Sequence, residues 1–242
     1  MKIAFFSDIH ANLPAIEAFF KDVESQNIDA IYCLGDLVGY NVWPNEIVNE
    51  IRKRGIPTIM GNHDEAMLNA ISKEDKPTNK GLTRAMINNQ NREYLINLPR
   101  HLSLTFVFDN KPFNLLMVHG SVKAINDYMV IDYPEDEVLS MMKLHKADIL
   151  LCGHTHKPFH RIIKDAEVFK HVINIGSIGK PKDGDPRICY ALLELDQFTS
   201  SFKSESIKVT FKRAEYNVEK AAKAIEESEF DNSFAKALRI AK

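Results

Sequence analysis

The sequence predicts an α/β fold with a second, mixed or antiparallel sheet, and two observations carry that expectation. Up to Met60, short apolar runs alternate with amphipathic stretches, the pattern of parallel strands with helices packed outside. From Leu102 on, apolar runs follow one another through short turns, as neighbouring strands of a second sheet would. A chain of 242 residues that is 45% hydrophobic is long enough to bury one sizeable core.

The elements follow in order. "KIAFF" (2–6) reads as a strand. In "NLPAIEAFFKDVESQ" (12–26), Ile16, Phe19, Phe20 and Val23 fall at helical spacing. "AIYCL" (30–34) is a second strand. "NEIVNEIRKRG" (45–55) is a helix with a glycine stop, and "IPTIM" (56–60) a third strand. Residues 65–101 read as a helical insertion, with pieces "DEAMLNAIS" and "LTRAMINNQNREYLINL" broken by the polar "KEDKPTNKG". Strands resume at "LSLTFVF" (102–108), "FNLLMV" (113–118), "DILLC" (148–152), "VFKHVINI" (168–175), "ICYALLELD" (188–196) and "SIKVTFKRA" (206–214). A helical tail closes the chain at about 215–242. Its apolar face is built from Ala221, Ala222, Ile225, Ala235, Leu238 and Ile240, and intrachain packing is the expectation for it. There is no internal repeat, so one domain over 1–242 is expected.

Composition narrows the function. Charged residues make up 26%, and the net charge is only -2, which gives no electrostatic footprint for an obligate nucleic-acid partner. No stretch approaches the roughly 20 apolar residues of a membrane span, and Asp8 and His10 interrupt the first apolar run too early for a leader. A cytoplasmic location is expected. Cys33, Cys152 and Cys189 sit in apolar runs and read as buried thiols, not as a disulfide or metal ligands.

The informative residues stand just past the strands. "KIAFF" ends in Ser7-Asp8-Ile9-His10, "AIYCL" in Gly35-Asp36, and "IPTIM" in Gly61-Asn62-His63-Asp64. "NLLMV" ends in His119-Gly120, and "DILLC" in Gly153-His154-Thr155-His156. Parallel strands bring their C-terminal ends to one edge, which is where such sheets bind ligands. Asp, Asn and His offer oxygen and imidazole nitrogen, suited to Zn, Mn, Fe or Ni, with no cysteine among them. Each piece alone has a plainer reading: a capping Asp, a turn, a satisfied histidine. Five such pieces in order, each after a strand, would need five coincidences.

This ordered set, D-x-H, G-D, G-N-H-D, a lone His and G-H-x-H, resembles the calcineurin-like metallophosphoesterase superfamily. "NIGSIGKPKDGDPRICYALLELD" (174–196), "LPRHLSL" and "YNVEKAAKAI" are similar to its small bacterial and archaeal phosphoesterase branch. The resemblance runs from residue 1 to about residue 225. It implies a four-layer α/β/β/α sandwich of two mixed sheets. It further implies two divalent transition-metal ions (Mn, Fe, Zn or Ni), the first held by Asp8, His10, Asp36 and His156. The second would be held by Asp36, Asn62, His119 and His154, with Asp36 bridging. The implied reaction is phosphoester hydrolysis by direct attack of a metal-bridging hydroxide. His63, not a ligand in that pattern, is the expected general acid toward the leaving group. Asp64 is expected either to hold the His63 imidazole cationic or to cap the helix that follows.

Weaker candidates are Asn12, with a helix cap as the plainer role, and Tyr40 at the cleft mouth. Ser177 is expected to support the site, and Lys182 and Arg187 stand on a charged loop able to attract phosphate. Met67, Met86, Ile87 and Tyr94 of the insertion are possible substrate contacts, most of them expected to pack inward. A small phosphodiester or nucleotide-like phosphoester is the expected substrate, with diester against monoester left open. Absence of an Arg soon after G-N-H-D lowers the expectation of a protein phosphatase or dinucleoside polyphosphate hydrolase. A non-catalytic protein-binding scaffold on the same fold is the alternative of a different class, and complete ligand residues argue against it. Oligomeric state is left open.

Overall fold

The computed structural model describes residues 1–69 and 78–242. β1 (Lys2–Phe6) leads into α1 (Leu13–Glu24), β2 (Ala30–Cys33) and α2 (Pro44–Arg54). The side chain of Asn12 caps α1 through the Ala15 N–H, and α2 starts on Pro44 and stops at Gly55, whose φ is 63°. The insertion holds α3 (Asn62–Glu65), a 3-10 turn at Ala66–Leu68, α4 (Asn79–Met86) and α5 (Asn89–Ile96). The stretch expected as one helix from Leu82 to Leu98 is two, because the Asn88 side chain caps a fresh start by accepting the Asn91 N–H at 2.8 Å. The expected helix 64–72 ends among the described residues at Leu68, and its remainder, like most of the polar stretch 73–81, falls on residues 70–77 outside them.

β3 (His101–Phe108) and β4 (Lys111–Val118) form a hairpin. They are followed by α6 (Glu135–Leu144), β5 (Ile149–Cys152), β6 (Phe159–Asp165) and β7 (Val168–Asn174). β8 (Ile188–Glu194), β9 (Lys208–Ala214), α7 (Val218–Glu226) and α8 (Asn232–Ile240) complete the chain. α6 and β6 were not anticipated. α6 carries a start signal, Pro134 followed by Glu135, Asp136 and Glu137 in the first turn. β6 pairs with β7 across a tight turn, but "FHRIIKD" lacks a clean alternation.

Two mixed sheets result, ordered β2-β1-β8-β9 and β3-β4-β5-β7-β6. β1 and β2 run parallel in the first, and β4, β5 and β7 in the second. The expected strand 56–60 is only a single bridge, Cys33 to Thr58. Pro57 has no N–H to give, so the ladder beside β2 cannot extend. Alternation then sorts the side chains. Ile3, Phe5, Leu115, Met117 and Leu193 fill the space between the sheets. Phe6 turns outward to Phe19 and Phe20 of α1, and Leu116 and Val118 turn to Val138, Met141 and Met142 of α6. The layers are α/β/β/α. Ala221, Ala222, Ile225, Ala235 and Leu238 of the tail pack with Val42, Trp43, Leu82 and Phe234, while Ile240, expected on that apolar face, is 54% exposed. Among the described residues no helix is long and apolar enough to cross a membrane.

One polar pair interrupts the space between the sheets. His171 is fully buried and bonds His160 ring to ring at 3.0 Å, while its Nε2 has no partner among the described residues. Burial, then His160 and Lys170, lowers the His171 imidazole to about 4. The unfolded chain therefore binds the extra proton, and stability is lost as pH falls from about 6.5 toward about 4. We expect His171→Leu to lose less stability over that window, by up to roughly 2–3 kcal/mol. Urea denaturation of both proteins at pH 7 and pH 4.5 checks this, and parallel pH profiles would contradict it.

Candidate metal centre

The strand ends converge as topology requires. β1, β2 and the Ile56–Met60 segment end side by side in one layer, and β4 and β5 end in the other. Asp8, His10, Asp36, His119 and His156 are almost wholly buried, at 2% exposure or less, and His154 is 7% exposed. Loops this buried need unusual backbone. Asp8, His10, Asp36, His154 and His156 all have φ between 50° and 62°. Each such residue costs of the order of 1 kcal/mol or more, so the surrounding contacts must over-determine it. Gly35 and Gly61 allow a close approach of these loops: a Cβ on Gly61 would lie 2.1 Å from Asp36 Oδ1.

Three imidazoles are oriented alike. His10 Nδ1 faces the Val38 carbonyl at 3.1 Å, and His119 Nδ1 the Leu34 carbonyl at 2.7 Å. His156 Nδ1 faces the Lys180 carbonyl. A backbone carbonyl only accepts, so each Nδ1 carries the proton and each Nε2 is left as a lone-pair donor aimed inward. The Nε2 atoms of His10 and His156 are 3.1 Å apart, and Asp8 Oδ1 is 3.1 Å from His156 Nε2. Asp36 Oδ2 stands between the two halves, 3.3 Å from His119 Nε2 and 3.7 Å from His10 Nε2. Asn62 Oδ1 is 3.3 Å from His119 Nε2.

Acceptors pointed at acceptors describe a cation site. Asp8 Oδ1 and His154 Nε2 are buried without hydrogen-bond partners among the described residues. Asp8, His10 and His156 form one group able to share an ion, and Asp36, His119 and His154 another. Nitrogen and carboxylate donors of this kind suit borderline divalent metals. In the protein alone, protons do part of that work. Burial pulls the His119 imidazole down, but the Asp36 carboxylate outweighs it and raises it to about 10. Burial would raise the Asp8 and Asp36 carboxyls, and the facing histidines hold both low instead.

His63 stands beside this cluster. Its ring lies 4.9 Å from that of His10 and 4.7 Å from that of Tyr40, and a Cβ on Gly39 would meet its Nδ1 at 2.4 Å. A third group, His10 with Asp36 and His63, brings a His63 ring nitrogen within 4.8 Å of theirs. Burial lowers its imidazole to about 4, so the free protein holds it neutral. Of the two roles expected for Asp64, the hydrogen bond to the His63 ring is not formed. Asp64 Oδ1 accepts from the Leu37 N–H at 2.9 Å, and Oδ2 from the Gly61 N–H at 3.0 Å. Asp64 therefore ties the start of α3 to the loop after Asp36, a capping role. Burial and the Asp36 charge raise its carboxyl to about 7.

The weaker candidates separate. Asn12 caps α1 and donates to the Gly179 carbonyl at 2.8 Å. Ser177 donates to the Asp8 carbonyl at 2.7 Å and so supports the site. Tyr40 lines it, and Lys182 is half-buried with the Asp8 and Asp36 charges acting on it. Arg187 is engaged instead with Asp185 at 2.7 Å. Met67 and Ile87 are buried, and Tyr94 packs under Arg52. Met86 is 39% exposed. Two residues escaped notice. Tyr128 packs at a tilt against His154 with ring centroids 4.5 Å apart, and Lys180 is buried beside Tyr40. Neither belongs to a periodic pattern, although Lys180 lies in the same "GKPKDG" loop as Lys182.

A family model described as the calcineurin-like phosphoesterase superfamily domain matches residues 1–197. A Methanocaldococcus jannaschii protein of uncharacterised function is 30% identical over 240 residues, covering 92% of this chain and 91% of its own length. A metallophosphoesterase of Sphaerobacter thermophilus has a similar structure, with TM-score 0.78, 28% identity, and coverage of 100% of this chain and 99% of its own. A hypothetical protein of Pyrococcus horikoshii shares the fold at TM-score 0.80 and 22% identity, covering 100% of this chain and 98% of its own.

The proton held by His119 must leave before that ring can ligate. Metal uptake is therefore expected to release protons and to weaken as pH falls. Titration calorimetry with Mn²⁺ in two buffers of different ionisation enthalpy measures this directly. Identical heats in both buffers would contradict the assignment.

Proposed function

Because this chain belongs to the calcineurin-like phosphoesterase superfamily, we propose that it hydrolyses a small, nucleotide-like phosphoester at a centre holding two divalent cations. Membership makes it a metal-dependent phosphoric ester hydrolase. The observation that best supports two ions is the pairing of orphaned atoms. Asp8 Oδ1 lacks a donor in the half of the cluster with His10 and His156, and His154 Nε2 lacks one in the half with Asp36 and His119. Asp8, His10, Asp36 and His156 would hold one ion, and Asp36, Asn62, His119 and His154 the other, with Asp36 Oδ2 between them. Divalent ions bound there would neutralise phosphoryl oxygens and lower the pKa of a water for attack.

The chain's own groups supply the rest. Asp36 Oδ1 accepts the His63 N–H at 2.8 Å, which fixes that carboxylate and leaves Oδ2 facing inward. The His63 imidazole, beside His10 and Asp36, would give a proton to a leaving oxygen. Its neutral state in the free protein is not an obstacle, since a phosphoryl anion against the ring raises its proton affinity. Asp64 acts on this chemistry through the backbone of Leu37 and Gly61, not through His63. Tyr40, packed on both His10 and His63, restricts how a substrate's leaving group can approach.

Bis-p-nitrophenyl phosphate and p-nitrophenyl phosphate, assayed with metal-stripped protein re-supplied with Mn²⁺, Ni²⁺, Zn²⁺ or Fe²⁺, test the reading. Turnover should require metal and vanish in Asp36→Asn. His63→Ala should keep its metal content while kcat falls by roughly 10²–10⁴. Since a His63 nitrogen also lies within ligand distance of His10 and Asp36, loss of an ion in that variant would move His63 from proton donor to ligand.

A further inference from the structure

Among the described residues the two sheets end in four edge strands, β2, β9, β3 and β6. An edge exposes unpaired N–H and C=O groups, and folded chains blunt it with charge, proline or brevity. Three of these edges are blunted. β2 has four residues and meets the Pro57-Thr58 segment through one bridge. β9 carries Lys208, Lys212 and Arg213, and β6 carries Arg161, Lys164 and Asp165. β3, "HLSLTFVF", runs for eight residues with no lysine, arginine, acid or proline. It pairs residue for residue with β4 along its whole length, so no bulge bends it away.

The register shows which backbone groups of β3 lack a partner. Thr105 stands opposite Asn114. The Asn114 N–H donates to the Asp148 carboxylate at 2.9 Å, and the Asn114 carbonyl accepts the Asp148 N–H at 2.8 Å. Asn114 therefore turns its backbone toward β5, and in an antiparallel ladder the residue opposite turns away likewise. Thr105 directs its N–H and C=O at the free edge, as do Ser103 and Val107 two residues to either side. The turn at Asp109 and Asn110, with φ of 49° and 59°, agrees. A two-residue hairpin closes on a hydrogen-bonded pair, here Phe108 and Lys111. Outside the β3–β4 ladder, no backbone-to-backbone hydrogen bond among the described residues reaches positions 103–107. Side chains follow the same alternation. Leu102, Leu104, Phe106 and Phe108 are half-buried at the flank of the core between the sheets, while Ser103, Thr105 and Val107 are exposed.

We propose that β3 is a dimerisation edge, on which a second copy of this chain adds its own β3 antiparallel about a twofold axis at Thr105. That register gives all three free residues a partner. Thr105 pairs with its own copy, and Ser103 pairs with Val107 in both directions. Leu102 then stands opposite Phe108 and Leu104 opposite Phe106, which carries the half-covered apolar layer across the axis. His101 comes beside Asp109, so the basic start of the strand, with Arg100, meets its acidic end. The partner this edge fits is an uncharged, alternating strand of equal length with opposite charge at its two ends. β3 itself is such a strand, and the pairing would join the two copies' sheets into one.

Thr105 carries the test, because its exposed side chain faces its own copy across the axis. Sedimentation velocity over a concentration series measures dimerisation of the wild type, Thr105→Lys and Thr105→Glu, with circular dichroism as the control on folding. The wild type should dimerise. Each variant alone should weaken the dimer about fivefold or more, since like charges then stand directly opposite. An equimolar mixture of the two variants should restore it, because a lysine then faces a glutamate. Amide hydrogen exchange of the wild type gives a second readout that needs no substitution. Ser103, Thr105 and Val107 should gain protection as concentration rises, while Leu104 and Phe106 should be protected throughout. A monomeric wild type, a dimer indifferent to both charges, or a mixture no tighter than either variant would overturn the proposal. So would a dimer in which exchange at those three amides does not change with concentration, because the contact would then lie elsewhere.

Discussion

Two buried carboxylates, Asp8 and Asp36, govern the rest of this molecule. Each is withdrawn from water where the two sheets bring their strand ends together, and backbone amides satisfy only part of each. Asp8 Oδ2 accepts the His154 N–H at 3.1 Å and Asp36 Oδ1 the His63 N–H at 2.8 Å. The other oxygen of each faces imidazole nitrogens, 3.1 Å from His156 for Asp8 and 3.3 Å from His119 for Asp36. An isolated buried carboxylate would take up a proton. These two stay ionised only because positive charge stands against them, as protons on the imidazoles or as cations between them. The requirement for that charge is what fixes the histidines.

Backbone conformation serves the same requirement. Five of the residues facing the centre adopt left-handed φ, and none of the five is a glycine. A sequence does not gather such residues by accident in loops that are otherwise well bonded. Asp8 N–H donates to the Gly35 carbonyl at 3.0 Å, and both Ile9 and His10 donate to the Asp36 carbonyl at 2.9 Å. Those bonds tie the loop after β1 to the loop after β2, and Asp64 adds the third loop through Leu37 and Gly61. The strain is thus held by cross-links among the same loops that carry the donors. Asp64 shows the logic well. Its position in the Gly61–Glu65 turn allowed either a bond to His63 or a helix cap, and it acts as the cap, fastening the turn that carries Asn62 and His63.

Much of this was legible in the sequence, and the limits have physical causes. Strand-end polar residues could be read because apolar runs mark strands without reference to anything distant. The donor set could be read because Asp, Asn and His, without Cys, define a chemistry at any spacing. Besides α6 and β6, other features could not. The Ile56–Met60 run looks like a strand by composition, but Pro57 removes the donor that a ladder needs. One helix became two at Asn88, since a capping side chain competes with helix continuation only where tertiary packing lets the chain turn. Lys180 and Tyr128 lie on irregular loops, where no period tells which way a side chain points.

Those loop residues are held differently from the donors themselves. Asp8, His10, Asp36 and the histidines after β4 and β5 are set by the strand ends of the two sheets. Around them, the walls come from segments that the sheets do not dictate. Tyr40 follows β2, Tyr128 follows β4, Lys180 and Lys182 follow β7, and Phe234 belongs to the tail. The Tyr40 N–H is held at 2.8 Å by Asn79 Oδ1 at the start of α4, so the insertion also helps place this wall. Insertion and tail meet again where Leu82 joins the cluster of Ala221, Ile225 and Leu238. Insertion and tail thus both bear on Tyr40, through Asn79 and Phe234, and neither belongs to the strand ends. The strand ends place the donors and the loops place the walls around them, and the loop in which the Lys180 carbonyl holds His156 belongs to both.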